Sequence, residues 1–187
     1  NKDFSITYVG GFGPHRGLQT AIEAMPKVTQ HIPNAKLFLI GKGSADVETK
    51  LRDIVKEFNV ENSVVFVGYR PFKEVSTIMQ KTNVNIIPHL ANDHTDNTIP
   101  HKLFQIMMSK SLLLVSSCKP LKRIVTKYNA GIVFNADDTN DFAEKVISIH
   151  QNYDEYQIKT QNAFDAVMNK GENWEQESLK LFNLYAN

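Results

Sequence analysis

The feature that most constrains this chain is a series of short apolar runs with almost no polar alternation. They are Leu37-Phe38-Leu39-Ile40, Val64-Val65-Phe66-Val67 and Leu112-Leu113-Leu114-Val115. A strand with one wet face alternates apolar and polar residues, whereas a run that is apolar at every position needs cover on both faces, as in a parallel sheet. Strands are predicted at Phe4 to Gly10, Lys36 to Gly41, Ser63 to Gly68, Val84 to Pro88, Leu112 to Ser116 and Ile132 to Phe134. Between them, Arg16 to His31 carries Leu18, Ile22, Met25 and Val28 on one helical stripe. Asp46 to Phe58 does the same with Val47, Leu51, Ile54, Val55 and Phe58. Beyond Phe134 the pattern is helical, over Asp138 to Gln151, Asp154 to Lys170 and Asn173 to Ala186. This alternation predicts an α/β fold: a doubly wound, Rossmann-like parallel sheet of about six strands with helices on both faces, plus C-terminal helices. All of 1–187 reads as a single domain.

Open sheets of this kind bind ligands beyond the carboxyl ends of their strands, so the functional residues are expected in 10–17, 41–44, 68–72, 88–102 and 116–120. Charge narrows the ligand. With 21 basic and 20 acidic residues the net charge is +1, which gives no nucleic-acid or polybasic membrane signature and makes any anion binding local. No apolar run approaches the roughly 20 residues of a membrane span. The lone cysteine, Cys118, excludes an internal disulfide framework, fits a reducing compartment and reads as inert. The chain starts at Asn1 with no signal-peptide pattern, and reads as a piece of a longer, cytoplasmic protein.

The first loop, Gly10-Gly11-Phe12-Gly13-Pro14-His15-Arg16-Gly17, follows a strand and opens a helix. Glycines let a phosphate approach the backbone, a helix start supplies free N–H groups, and Arg16 adds a planar cationic fork. Gly11, Phe12, Gly13 and Arg16 are therefore candidate diphosphate ligands. A dinucleotide fingerprint fails because its third glycine falls on Arg16, and the second strand ends in Ile40-Gly41-Lys42 where a ribose-binding acid belongs. A Walker loop fails because no Gly-Lys-Ser/Thr closes the turn.

The second informative stretch runs from Pro88 to Gln105. A polar segment, Asn92-Asp93-His94-Thr95-Asp96-Asn97-Thr98, leads through Ile99-Pro100 into His101-Lys102-Leu103-Phe104-Gln105. Proline suits a first helical position, and Asn97 or Thr98 is the expected cap. Lys102, one turn inside, joins Arg16 to supply about two positive charges for a diphosphate. The histidines and aspartates of this loop fit no metal-ligand spacing, so no metal is expected and loop polarity explains them. His89 and His101 read as polar loop residues.

Taken in order, these segments resemble the C-terminal domain of retaining glycosyltransferases of the GT-B architecture, the family 4-like group 1 type. The likeness rests on Tyr8-Val9-Gly10-Gly11-Phe12 through Arg16-Gly17-Leu18 to Ala21-Ile22-Glu23-Ala24, on Leu37 to Gly43, and on Val64 to Tyr69. It continues through Pro100-His101-Lys102-Leu103-Phe104-Gln105-Ile106-Met107 and ends at Trp174-Glu175. The resemblance implies a nucleoside-diphosphate-sugar donor with UDP or GDP as the nucleotide, no cofactor, and transfer with retention to a saccharide or lipid-linked acceptor. It also implies an N-terminal acceptor domain outside this chain, through which the whole protein would sit at the inner face of the membrane. That family holds the diphosphate with an Arg and a Lys of its first loop. Here Arg16 matches the Lys, Gly11 stands at the Arg, and Lys102 is expected to supply the second cation. Two family glutamates, one near the sugar and one at the ribose, correspond to Asn97 and Gln105. Tyr69 and Arg70 lie where the family holds the base, and Thr98 and Ile99 are expected with them among the residues that hold the donor's ribose, base and sugar. No catalytic residue is assigned. A sugar-nucleotide epimerase, which would need Asp93 or Asp96 as acid/base, and a non-catalytic nucleotide-sugar-binding module remain as alternatives.

Overall fold

The computed structural model describes residues 3–172 together with 176, 178, 179, 182 and 183. Six strands form one all-parallel sheet in the order β3-β2-β1-β4-β5-β6. They are β1 (Phe4–Val9), β2 (Ala35–Ile40), β3 (Val64–Gly68), β4 (Val84–Ile87), β5 (Leu113–Ser116) and β6 (Ile132–Phe134). The predicted sheet is thus observed to within a residue or two at each end. The strand order steps outward from β1 to β3, then reverses to β4, which leaves a crevice above the carboxyl ends of β1 and β4.

Both faces are covered. On one side α1 (Leu18–Glu23), α2 (Met25–His31), α3 (Ala45–Glu57) and α7 (Thr139–Gln151) bury a core built around Ile6, Leu37, Ile22, Val28, Phe134 and Phe142. On the other, α4 (Phe72–Lys81), α5 (Lys102–Met108), α6 (Lys119–Tyr128) and α9 (Ile158–Met168) bury Ile87, Leu113, Val115, Ile124 and Ala163. The short α8 (Tyr153–Tyr156) links α7 to α9. β4 and β5, in the sheet interior, are buried at every position, Asn85 and Ser116 included, as helices on both faces demand. β3 departs from that reading: it is an edge strand and Val65 is 38% exposed.

Two helical expectations need correction. The predicted helix over 16–31 opens instead as a 3-10 turn, Pro14–Arg16, and then breaks at Ala24. Pro26, in the first turn of α2, lacks an N–H and its ring collides with the carbonyl four residues back, so one continuous helix is not available. The helix over 154–170 divides at Gln157, whose carbonyl accepts both the Thr160 N–H and the Thr160 hydroxyl in a tightened turn. Of the helix expected over 173–186, residues 176, 178, 179, 182 and 183 are helical; Trp174 and Glu175 lie outside the described residues. Helices α4 and α6 are crossovers that the apolar periodicity did not single out.

Candidate functional site

The crevice at the strand-order reversal is built by two loops that grip each other. Leu90 N–H donates to the His15 carbonyl and joins them, while Gly10 N–H donates to the Ile40 carbonyl at the end of β2. Gly17 is left-handed at φ 66°, and its Cα lies so close to β4's exit that a Cβ would stand 1.7 Å from the Pro88 carbonyl oxygen. Only glycine combines that backbone angle with that approach.

Within this frame Arg16, His89, His94, Thr95, Thr98, Ile99, Pro100, His101 and Lys102 line a cleft of about 280 Å³. Lys102 is its centre. The ammonium lies 3.9 Å from the centroid of the Tyr8 ring, in cation–π geometry, and beside Gly10, where a Cβ would come within 2.7 Å of Nζ. Nζ is shut from solvent and has no hydrogen-bond partner. Burial, reinforced by the Arg16 charge, lowers its pKa to about 7. No carboxylate lines the cleft to compensate it. The Tyr8 hydroxyl donates to the Gly11 carbonyl at 2.8 Å, so one side chain supports both the ammonium and the glycine loop. Burial raises the phenol's pKa and keeps that donor protonated.

His89 differs from the solvated loop histidine expected. It is 2% exposed, and Arg16 Nη1 approaches its Nε2 at 3.2 Å. Because guanidinium only donates, Nε2 is the acceptor and the ring is the neutral Nδ1–H tautomer. Burial first, then the Lys102 and Arg16 charges, depress its pKa to about 3. The unfolded chain therefore binds a proton at this position between about pH 6.5 and pH 3 that the folded chain does not. The stability present above pH 6.5 is lost as pH falls through that window. His89→Gln is expected to flatten the acid limb of a pH–stability curve, measured by urea unfolding at pH 4 to 7.

The other predicted ligands divide. Gly11 and Gly13 keep amides with no hydrogen bond among the described residues, available to an anion. Phe12 must be withdrawn: its N–H donates to the Lys42 carbonyl, and its side chain is buried against Tyr8 and Phe66. The loop's glycines place the free amides on either side of it. Neither Asn97 nor Thr98 caps α5. That helix begins only at Lys102, with no side-chain cap, because Pro100 and His101 still form a turn. Asn97 instead donates to the Asp93 carbonyl on the exposed rim, outside the cleft lining. Thr98 and Ile99 do line it.

Tyr69 and Arg70 line a second cleft of about 270 Å³ with Gly10, Gly11, Gly41 and Lys42, on the far side of the glycine loop. Gln105 opens onto neither; it lines a groove between α4 and α5 with Phe72 and Met108. Asp96 is tied to the Lys119 amide and ammonium, and Asp93 is exposed, so neither faces the cleft as an acid/base group. Cys118 is buried, its thiol within reach of the His89 carbonyl. Among the described residues no group of three or more His, Cys, Asp and Glu side chains gathers as a metal site, and no helix is long and apolar enough to cross a membrane.

Tyr8 and His89 are the members that sequence reasoning missed. A tyrosine inside an apolar strand, two residues before the glycine turn, was the available signal, since a buried hydroxyl needs a partner nearby.

Known proteins give this geometry its context. The chain is 20% identical over 146 residues to a phosphatidyl-myo-inositol mannosyltransferase of Mycolicibacterium smegmatis, an alignment covering 78% of this chain and 36% of that protein. Its fold superposes on Anabaena HepE in complex with UDP at a TM-score of 0.76, with 15% identity over 87% of this chain and 43% of that one. It also superposes on the C-terminal domain of the Francisella tularensis group 1 glycosyl transferase LpcC at a TM-score of 0.73, with 16% identity, covering 89% of this chain and 85% of that one. The chain thus spans less than half the length of the mannosyltransferase and of HepE. Residues 1–165 match the family described as glycosyl transferases group 1, and the chain belongs to that family.

Proposed function

We propose that this chain is the nucleotide-sugar-binding, C-terminal half of a glycosyltransferase. In this reading the donor diphosphate lies over Gly11 and Gly13, between Arg16 and Lys102. The observation that carries it is the Lys102 ammonium, enclosed at the crevice between β1 and β4 with no hydrogen-bond partner of its own. A cation so placed is stable only when an anion arrives. The second cleft, with Tyr69 and Arg70, takes the base; Thr98 and Ile99 border the sugar. Each cleft alone falls below the roughly 300–1,000 Å³ of ordinary ligand sites. The two together, closed by an N-terminal acceptor domain, would make a full site.

Transfer itself leaves negative charge on the departing diphosphate, and Arg16, Lys102 and the two loop amides are the groups here that stabilise it. UDP is the first nucleotide to test, since HepE binds it; retention and a saccharide or lipid-linked acceptor follow from the family likeness. Isothermal calorimetry with UDP, GDP, ADP and dTDP tests the reading. One nucleotide should bind, and Arg16→Ala or Lys102→Ala should weaken it by about 10- to 100-fold, the roughly 1.5–3 kcal/mol of a charged hydrogen bond. Binding indifferent to both substitutions would sink the site.

A second reading has one observation in its favour. Asn97 and Gln105 stand where the resembling enzymes carry glutamates, and neither lines the Lys102 cleft. A non-catalytic nucleotide-sugar-binding module would bind the donor equally well. Full-length protein that binds the donor but transfers its sugar to no acceptor would establish it.

A further inference from the structure

Resting on that donor reading, we propose that diphosphate binding at this site is proton-linked through Lys102, the empty cleft favouring the neutral amine and the bound diphosphate drawing a proton from solvent onto it. The geometry requires some such coupling. An ammonium has three hydrogen-bond donors to satisfy, and Nζ here meets none of the acceptors it needs. Its floor is the face of Tyr8, from β1, which offers a quadrupole and not a lone pair. Gly10, at the end of the same strand, closes its side.

The charged and titratable groups around it reinforce this. Arg16, from the first loop, brings a fixed positive charge into the same cleft. His89, at the exit of β4, is held neutral and is occupied with Arg16, so it offers Lys102 no charge. His94 and His101 line the outer cleft, and no carboxylate does. The pKa of about 7 agrees with this arrangement. Two anionic oxygens beside Nζ reverse its balance and favour the charged form.

The linkage has a definite sign. Above the free amine's pKa, each ligand bound takes up close to one proton; below it the lysine is already charged and uptake vanishes. Calorimetry of a nucleoside-diphosphate sugar, whose phosphates do not titrate near neutrality, in buffers of different ionisation enthalpy reads that uptake directly. The expected result is near one proton per ligand at pH 8 and near none at pH 6, with affinity falling about tenfold per pH unit above pH 8. Lys102→Arg, whose guanidinium stays charged, and Lys102→Met, which has no proton to gain, should both abolish the uptake.

Binding without uptake at pH 8, or uptake that persists in both variants, would overturn the proposal while leaving the donor site standing. Absence of any donor binding would overturn the donor reading, and the proposal with it. A ligand-free check stands apart from both. Side-chain NMR of Lys102 in the empty protein should follow a titration near neutrality, and one in the ordinary lysine range overturns the proposal.

Discussion

Gly17→Ala is expected to destabilise the protein by about 3 kcal/mol or more, lowering its thermal midpoint by roughly 6–12 °C. Two penalties coincide at this position. The backbone sits at φ 66°, ψ 24°, where a Cβ costs about 1–2 kcal/mol in any surroundings. The new methyl would also stand 1.7 Å from the Pro88 oxygen and 2.8 Å from its carbonyl carbon. That neighbour is backbone at the exit of a fully buried strand, with buried His89 next in the chain, so it has no cheap way to yield. Movement there would also strain the Leu90–His15 hydrogen bond that joins the two site loops, so nucleotide affinity should fall along with stability. Gly68→Ala isolates the first penalty, because Gly68 has φ 77° but nothing within 4 Å of its Cβ position. Thermal melts of the two variants decide the matter: equal losses would mean that the Pro88 contact contributes nothing.

Most of the fold was legible because its signals are local. Val84–Ile87 and Leu113–Ser116 are buried at every position, and all but Asn85 and Ser116 are apolar, for a reason that acts within each strand, namely helices on both faces. Val65 misled because a β-rich apolar run reads the same whether a strand lies inside the sheet or at its edge; position in the sheet is decided by other segments. The break at Ala24 was marked by Pro26, yet the amphipathic stripe of Leu18, Ile22, Met25 and Val28 runs across it and conceals it.

The site was legible only in part, for a related reason. Arg16 and Lys102 announce themselves by charge beside a glycine turn. What they face is settled by tertiary contacts across tens of residues: Lys102 on Tyr8, Arg16 on His89. Phe12 shows the converse. Its place in a glycine-rich loop suggested a phosphate ligand, but its aromatic side chain is worth more in the core, and burying it turns its amide toward Lys42.

Lys102→Met is expected to make the empty protein more stable at pH 7 by on the order of 2–4 kcal/mol, while removing most of its affinity for nucleoside diphosphates. The wild-type lysine pays no such penalty when unfolded, because water solvates its ammonium and its pKa returns to about 10.5; folding lowers that to about 7. Between those values the unfolded chain holds a proton that the folded chain lacks, so wild-type stability should rise with pH across the window. The gap between wild type and Lys102→Met should accordingly be widest at and below pH 7 and close toward pH 10. Methionine keeps the length and apolar stem of the side chain, fills the space over Tyr8, and carries no group needing a hydrogen bond. Urea unfolding of both proteins at pH 7 and pH 9.5 measures the gap. A variant no more stable than wild type at pH 7 would mean that the ammonium is already satisfied in the empty site. The cleft would then have no unmet demand for an anion, and the strongest physical reason for placing a diphosphate in it would be gone.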